Sequence, residues 1–237
     1  MTMPKPAAVI SVIIPALNEA ESVSKAVAAV PSGRIGCEVI VVDAGSVDET
    51  PGIARKAGAR VLRSHRRQRA YQLNLGARQA RGDVLLFLHA DTLLPPNALP
   101  LIDLALRDQS VAGGAFRRRY DSSSLLLQAT CLLAGWRNRL IGWHLGDQAM
   151  FVRASTFFEL GGFVEADQFE DLDFSRRLRR TGRVVTVPSS VTSSARRFDR
   201  QGPALTTLQD LGFTVRYLVY GLPRRSTVPL SPAKTVI

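Results

Sequence analysis

A run of apolar residues that ends in a carboxylate constrains this chain more than any other feature. Gly82-Asp83-Val84-Leu85-Leu86-Phe87-Leu88-His89-Ala90-Asp91-Thr92 carries five large apolar side chains in succession and then delivers an acid. A parallel strand covered on both faces reads as a continuous hydrophobic run, and an open α/β sheet binds ligand beyond the carboxyl ends of its strands. Asp91 is expected at such an end. Leu93-Leu94-Pro95-Pro96 then breaks regular structure, and Asn97 is placed to cap a helix over 98–106.

The same pattern recurs upstream. Val9-Ile10-Ser11-Val12-Ile13-Ile14 is a β-branched run that Pro15 closes, and Asn18 is placed to cap a helix carrying Val23, Val27 and Val30 at helical spacing. The second strand, 38–43, also ends in an aspartate, Asp43. Ala44-Gly45-Ser46 turns the chain there, and Asp48-Glu49-Thr50-Pro51 opens the next helix with acids in its first turn. Residues 60–63 read as a third strand, followed by the basic loop His65-Arg66-Arg67-Gln68-Arg69 and a helix through 72–80. Strands alternating with helices give an α/β fold with a mostly parallel sheet and right-handed crossovers.

Beyond residue 106 the pattern loosens. A strand over 111–120 carries Arg117, Arg118 and Arg119, an apolar helix covers 125–140, and a short strand over 147–153 precedes a helix over 154–160. Gly161-Gly162-Phe163 turns toward acidic 165–173, which enters a basic helix ending near Thr181-Gly182. Apolar residues fill much of 205–222, a segment that either packs on the domain or rests on a bilayer.

The 237 residues contain no interior linker, low-complexity block or solenoid repeat, so a single domain over 1–237 is expected, with its core at about 8–222 and tails at 1–7 and after 225. The 31 Lys+Arg against 20 Asp+Glu give a net charge of +11. That sign favours phosphate-bearing partners, and nucleic acid, an anionic membrane surface and a nucleoside-diphosphate substrate all fit it. Cys37 and Cys131 stand far apart with no metal-ligand spacing, which suits a reducing compartment. No signal-peptide pattern opens the chain, and the oily segment 125–135 contains Gln128 and Thr130 and is too short to span a bilayer. The expectation is a cytoplasmic protein, with the inner face of the membrane as a contact surface.

Taken together, Pro15-Ala16-Leu17-Asn18-Glu19, Asp43-Ala44-Gly45-Ser46-Val47-Asp48, His89-Ala90-Asp91, Gly146-Asp147-Gln148, Gly161-Gly162-Phe163 and Phe169-Glu170-Asp171-Leu172-Asp173 resemble the family 2 glycosyltransferases. The likeness covers about residues 9–200 in order. Short length and the His-Ala-Asp variant look most like the small bacterial branch associated with arsenosugar biosynthesis. The resemblance implies an A-type (nucleotide-diphospho-sugar transferase) fold and transfer of a sugar, with inversion, from a nucleotide-diphosphate donor to an acceptor hydroxyl. A UDP-sugar is favoured as donor, and the acceptor is a small molecule or lipid-linked.

It also assigns roles. Pro15, Glu19, Asp43, Asp48, Asp83, Ala90, Asp91 and Arg197 fall on the donor side, and Asp147, Gln148, Glu170 and Trp143 on the acceptor side. Asp91 matches the last acid of the motif that holds Mg2+ or Mn2+ against the donor's phosphates; His89 replaces the usual first acid and is a ligand, a phosphate donor or a packing residue. Asp171 matches the base that takes the acceptor proton. Each has a plainer reading: Asp48 as a helix cap, Glu19 as an acid at a helix start, Asp83 as a turn residue, 170–173 as acids at a helix N-terminus. Trp136 and Trp143 either line an acceptor pocket or pack in the core. Arg196-Arg197-Phe198 falls where processive relatives carry Gln-X-X-Arg-Trp, and the full motif is absent. A lone Arg there can stabilise a leaving diphosphate.

Two other classes share some of these features. A nucleotidyltransferase also uses carboxylate-bound Mg2+, but Pro15–Glu19 lacks its Gly-rich basic loop. A nucleic-acid-binding protein suits the charge, yet strand-end aspartates repel phosphates without a cation between them, so no nucleic-acid partner is expected.

Overall fold

The computed structural model describes residues 9–31, 35–166 and 168–221, so the tails expected at 1–7 and after 225 lie outside it. The strands are β1 (Ile10–Ala16), β2 (Cys37–Asp43), β3 (Arg60–Arg63), β4 (Val84–Phe87), β5 (Thr92–Leu93), β6 (Val111–Tyr120), β7 (Met150–Arg153) and β8 (Arg183–Ser193). They form one sheet in the order β3-β2-β1-β4-β7-β6-β8-β5. Pairs β1–β2, β1–β4, β2–β3 and β6–β8 are parallel, whereas β4–β7, β6–β7 and β5–β8 are antiparallel. The expected α/β sheet, mostly parallel, is what forms.

Strand alternation divides the core between the two faces. Val12, Ile14, Val41 and Leu86 pack under α1 (Val23–Ala28), α2 (Thr50–Lys56) and α4 (Ala98–Arg107) through Val27, Ala54 and Ile102. Ile13, Ile40, Val42 and Leu85 pack under α3 (Arg69–Gln79), α6 (Ala154–Glu159) and α7 (Glu170–Leu178) through Leu73, Phe157 and Phe174. On this second face Phe163 lies edge-on to Phe87 at 4.8 Å between ring centroids.

One pairing curls the sheet. Thr92 of β5 pairs with Ser193 of β8, at the far edge from β4, yet Thr92 is only five positions along the chain from Phe87. Five extended residues reach at most about 17 Å, whereas four strand spacings across a flat sheet need roughly 19 Å. The sheet therefore bends round until the end of β8 meets the tip of β4.

Several local expectations are corrected. Pro15 lies inside β1, paired opposite Val42. Its nitrogen faces the β4 side, where the ladder ends with the bond from Leu88 N to Ile13 O, as a residue without an N–H requires. Asn18 does not cap α1: it has φ 54°, and its Oδ1 accepts from Val47 N instead. Asn97 immediately precedes α4 as expected but makes no side-chain cap. The strand expected at 147 starts at Met150, because Gly146–Gln148 form a 3-10 turn and Ala149 turns left-handed at φ 48°. The sequence pattern assigned nothing regular to 183–193; Pro188 and two serines interrupt it, and β8 absorbs them with a register shift against β6.

Candidate active site

The carboxyl ends of β1 and β2 carry the acids expected to meet the donor, and backbone amides hold them. Asp43, 6 % exposed, accepts from Gly45 N at 3.0 Å and Ser46 N at 3.2 Å. Asp48 accepts from Thr50 N at 3.0 Å and Ala20 N at 3.2 Å, so it caps α2 and also ties that loop to the β1–α1 loop. The Thr50 hydroxyl bond is the main reason its carboxyl sits below the usual range. Glu19 receives Arg196 at 2.7 Å from α8 (Arg196–Gln201). Pro15 is partly buried at the end of β1, and Ala90 is buried between His89 and Asp91. Asp83 does not belong to this group. It is exposed at the opposite, amino end of β4, where its carbonyl accepts from Ala154 N.

An open cleft of about 900 Å³ runs from the tip of β4 to the start of α7, with His89, Asp91, Asp147, Asp171, Arg69 and Arg197 on its wall. Asp171 Oδ2 accepts from Gly146 N at 2.6 Å, and Oδ1 accepts from Leu172 N at 2.6 Å. A Cβ on Gly146 would lie 2.9 Å from Asp171 Oδ2 and 3.0 Å from His89 Nε2. Only a bare backbone lets the β4 tip and the α7 start approach this closely.

Arginines hold the acids of this wall. Arg69 pairs with Glu170 and lies 3.9 Å from Asp171. Glu170 is 1 % exposed with Oε2 unpartnered; burial, then the neighbouring Asp171, raise its pKa. It is a buried strut of Asp171, not a surface an acceptor can touch. Arg118 pairs with Asp147, whose Oδ1 has no partner. Burial disfavours the Asp147 charge, but Arg118, His89 and Arg137 outweigh it and lower its pKa. Burial, then Arg69, push the His89 imidazole below its usual value, against the pull of Asp147, Asp91 and Asp171. His144, wholly buried against Thr186 Oγ1 at 2.8 Å, is pushed down to about 4 by burial and by Arg137.

Two residues expected on the acceptor side stand elsewhere. Gln148 is 1 % exposed; its amide reaches Phe116 O, and its oxygen receives Arg137 and Leu145 N, so it shapes the turn and cannot meet an acceptor. Trp143 lies off the cleft wall with the Arg176 guanidinium 5.2 Å over its ring. Trp136 is 64 % exposed and so belongs to no core. The sequence reading missed Arg69, Arg118 and Arg137. Period-two alternation in β6 turns Arg118 and Tyr120 inward and Arg117 and Arg119 outward, a signal present in the sequence.

Among the described residues no trio of His, Cys, Asp and Glu can hold a metal alone. Asp91, with His89 on the same wall, offers the partial set that Mg2+ or Mn2+ completes with substrate phosphates and water.

Comparison with known proteins bears on family and fold. Undecaprenyl-phosphate 4-deoxy-4-formamido-L-arabinose transferase of Edwardsiella ictaluri is 30% identical over 157 residues, covering 61% of this chain and 48% of the relative. The Pseudomonas aeruginosa protein of the same name is 31% identical over 134 residues, 51% of this chain and 39% of its own. The chain thus spans about half the length of these relatives or less. In fold it matches a mannosyltransferase of Pyrobaculum calidifontis solved with GDP-Man and Mn2+, at TM-score 0.62 and 22% identity over 78% of this chain and 56% of that one. It also matches glucosyl-3-phosphoglycerate synthase of Mycobacterium tuberculosis, at TM-score 0.61 and 22% identity over 95% and 89%. Residues 11–160, which hold the acids of β1, β2 and β4 and the Gly146–Gln148 turn, match the Glycosyl transferase family 2 pattern, and the chain belongs to that family.

Proposed function

We propose that this chain transfers a sugar from a nucleoside-diphosphate donor, UDP-linked by preference, with inversion at the anomeric carbon. The observation that carries it is that Asp91, at the tip of β4, and Asp171, at the start of α7, face one cleft. Donor phosphates bind at the Asp91 end, with Asp43, Asp48 and Glu19 beside the nucleoside. The acceptor enters between Asp147 and Asp171. Its oxygen attacks the anomeric carbon while Asp171 takes the hydroxyl proton; the bond to the diphosphate breaks, and the electron pair leaves with the phosphate oxygen. Arg197, on the same wall, faces that departing charge. A divalent cation held by Asp91 and His89 would supply further positive charge to the leaving group.

The relatives whose names specify undecaprenyl-phosphate support a lipid-linked acceptor met at a membrane surface; the base role of Asp171 belongs to an acceptor that attacks through a hydroxyl, since a lipid phosphate oxygen is already ionised at neutral pH. No described helix is long and apolar enough to cross one. A place in the arsenosugar-associated branch rests on the chain's length and on His-Ala-Asp alone.

Titration of UDP and GDP by calorimetry with Mn2+, with Mg2+ and with chelator tests the donor half. UDP is expected to bind about tenfold or more tightly with metal than without, and Asp91→Ala to lose that difference. Equal affinity in all conditions removes the metal bridge. The anomeric configuration of the product, read by NMR, tests inversion.

A further inference from the structure

Two helices carry apolar stripes that the domain does not cover. On α5 (Leu125–Ile141), Leu125, Ala129, Leu132, Leu133, Trp136 and Leu140 are all exposed, Trp136 by 64 %. At about 100° per residue they fall on one side of the helix, opposite the buried row Leu127, Ala134 and Asn138. On α9 (Pro203–Tyr220), Leu205, Leu208, Gly212, Val215 and Val219 recur at three- and four-residue spacing and are all exposed, whereas Thr206 and Tyr217 are buried. The two helices touch, and Tyr217 fastens α9 to the domain by stacking on Phe169 at 5.2 Å and receiving Arg176 at 3.1 Å. Exposed apolar surface of this extent on a folded domain marks an interaction site.

The position of the cleft says what the surface serves. Thr130, Leu133 and Arg137 of α5 and Thr207 and Thr214 of α9 line it. On both helices this row lies between the buried row and the exposed stripe. The cleft therefore opens at the border of the apolar face, and Leu133 belongs to both. The charge on the two helices is mainly positive, Arg137, Arg139 and Arg216 against the single acid Asp210, in a chain of net charge +11. Apolar stripes with a tryptophan, flanked by arginine, match the interface of an anionic bilayer, where an amphipathic helix lies in the surface plane.

We infer that α5 and α9 together form a docking face for the surface of an anionic lipid bilayer and that the cleft opens onto that surface. This rests on the reading above only for the acceptor, whose lipid chain stays in the bilayer beside Leu133 while its head enters toward Asp171. Helices α5 and α9 lie on the membrane without crossing it, and docking needs neither donor nor metal.

Co-sedimentation of the full chain with vesicles tests this directly. Vesicles of phosphatidylcholine containing about a third phosphatidylglycerol are expected to carry the protein into the pellet at least about tenfold better than pure phosphatidylcholine, and high salt to weaken the effect. The combined Leu132→Ser, Leu140→Ser, Leu208→Ser and Val219→Ser variant, altered only at exposed positions, should stay in the supernatant and melt near the parent. Arg139→Glu with Arg216→Glu should remove the preference for phosphatidylglycerol. Trp136 fluorescence, read in a Trp143→Phe background, should shift to the blue with the anionic vesicles. A parent that stays in the supernatant overturns the inference, as does a serine variant that sediments as well as the parent. A parent that is dimeric by light scattering, becomes monomeric in the serine variant and ignores vesicles assigns the face to a second copy instead. UDP binding with Mn2+, measured on the same samples, separates failure of the docking face from failure of the donor site.

Discussion

On the β3-β2-β1 side of the sheet Asp43 and Asp48 accept hydrogen bonds from backbone amides of the turns around them, whereas on the β7-β6-β8 side Asp147 and Glu170 are held by Arg118 and Arg69. Amides neutralise a carboxylate without adding a counter-charge, and they are fixed wherever the turn is fixed. Arginine pairs answer charge with charge in a place shielded from water, and Glu170 Oε2 and Asp147 Oδ1 remain without partners. The first arrangement suits an edge that grips a ligand and lets it go. The second holds its acids in place by arginine pairs, so that each depends on one named partner.

Substitutions that separate activity from stability sharpen the comparison most. Asp171→Asn keeps the shape that accepts Gly146 N, so donor binding and melting temperature should stay near the parent's while turnover falls by about a hundredfold to ten-thousandfold. Near-full turnover of the variant with an acceptor would remove Asp171 as base, and Glu170 is too buried to replace it. Next in size, Arg118→Met leaves Asp147, half-buried on the cleft wall, without its main counter-charge and should cost about 1–3 kcal/mol in urea unfolding. A loss below about 1 kcal/mol would make the arginine-held side no more demanding than the amide-held side.

The pH dependence should come from the same side. The imidazole of His144 titrates at about 4 in the folded chain against 6.5 when free, so between those values the unfolded chain binds the extra proton. Stability from this group is present in full above about pH 6.5 and is lost as pH falls toward 4, by up to about 3 kcal/mol. Urea unfolding at several pH values should show a shallower decline in His144→Gln than in the parent; equal declines would exclude the group. The smallest effect belongs to Arg196→Ala, which removes a partly exposed pair with Glu19 and should cost less than about 1 kcal/mol. A larger loss, measured the same way, would mean that the donor side also leans on buried charge.

The two sides were unequally legible in the sequence. β2 and β4 announce themselves as apolar runs ending at turns, because both faces of an inner parallel strand are covered and little polar interrupts the pattern. Asp43, Asp48, Asp91 and Asp171 could be placed from motif order alone. Asp83 was placed with them by the resemblance alone, although it precedes the apolar run and so sits at the amino end of β4, opposite the carboxyl ends where the cleft opens. Gln148 failed because adjacency to Asp147 along a 3-10 turn points neighbouring side chains in different directions, and Trp143, which precedes that turn, is turned aside under the Arg176 guanidinium. The strand β8 was hidden by Pro188, and the arginine partners were hidden because a pair such as Arg69 and Glu170 spans 101 positions that no local pattern connects.

The pairing of Thr92 with Ser193 has a consequence for the order in which the molecule comes together. A hydroxyl contact of 3.0 Å joins residues 101 apart in sequence, and the strands they sit in touch the tip of β4. Closing so long a loop carries an entropic cost that local contacts cannot repay in advance, and contacts of this range are among the slow steps of folding. During synthesis the β1–β4 ladder is available long before Ser193 leaves the ribosome. A nascent chain that has reached residue 160 already owns Asp43, Asp48 and Asp91, but no cleft. Its acids are displayed on a ledge, and the enclosure that makes them useful arrives only with the last strand.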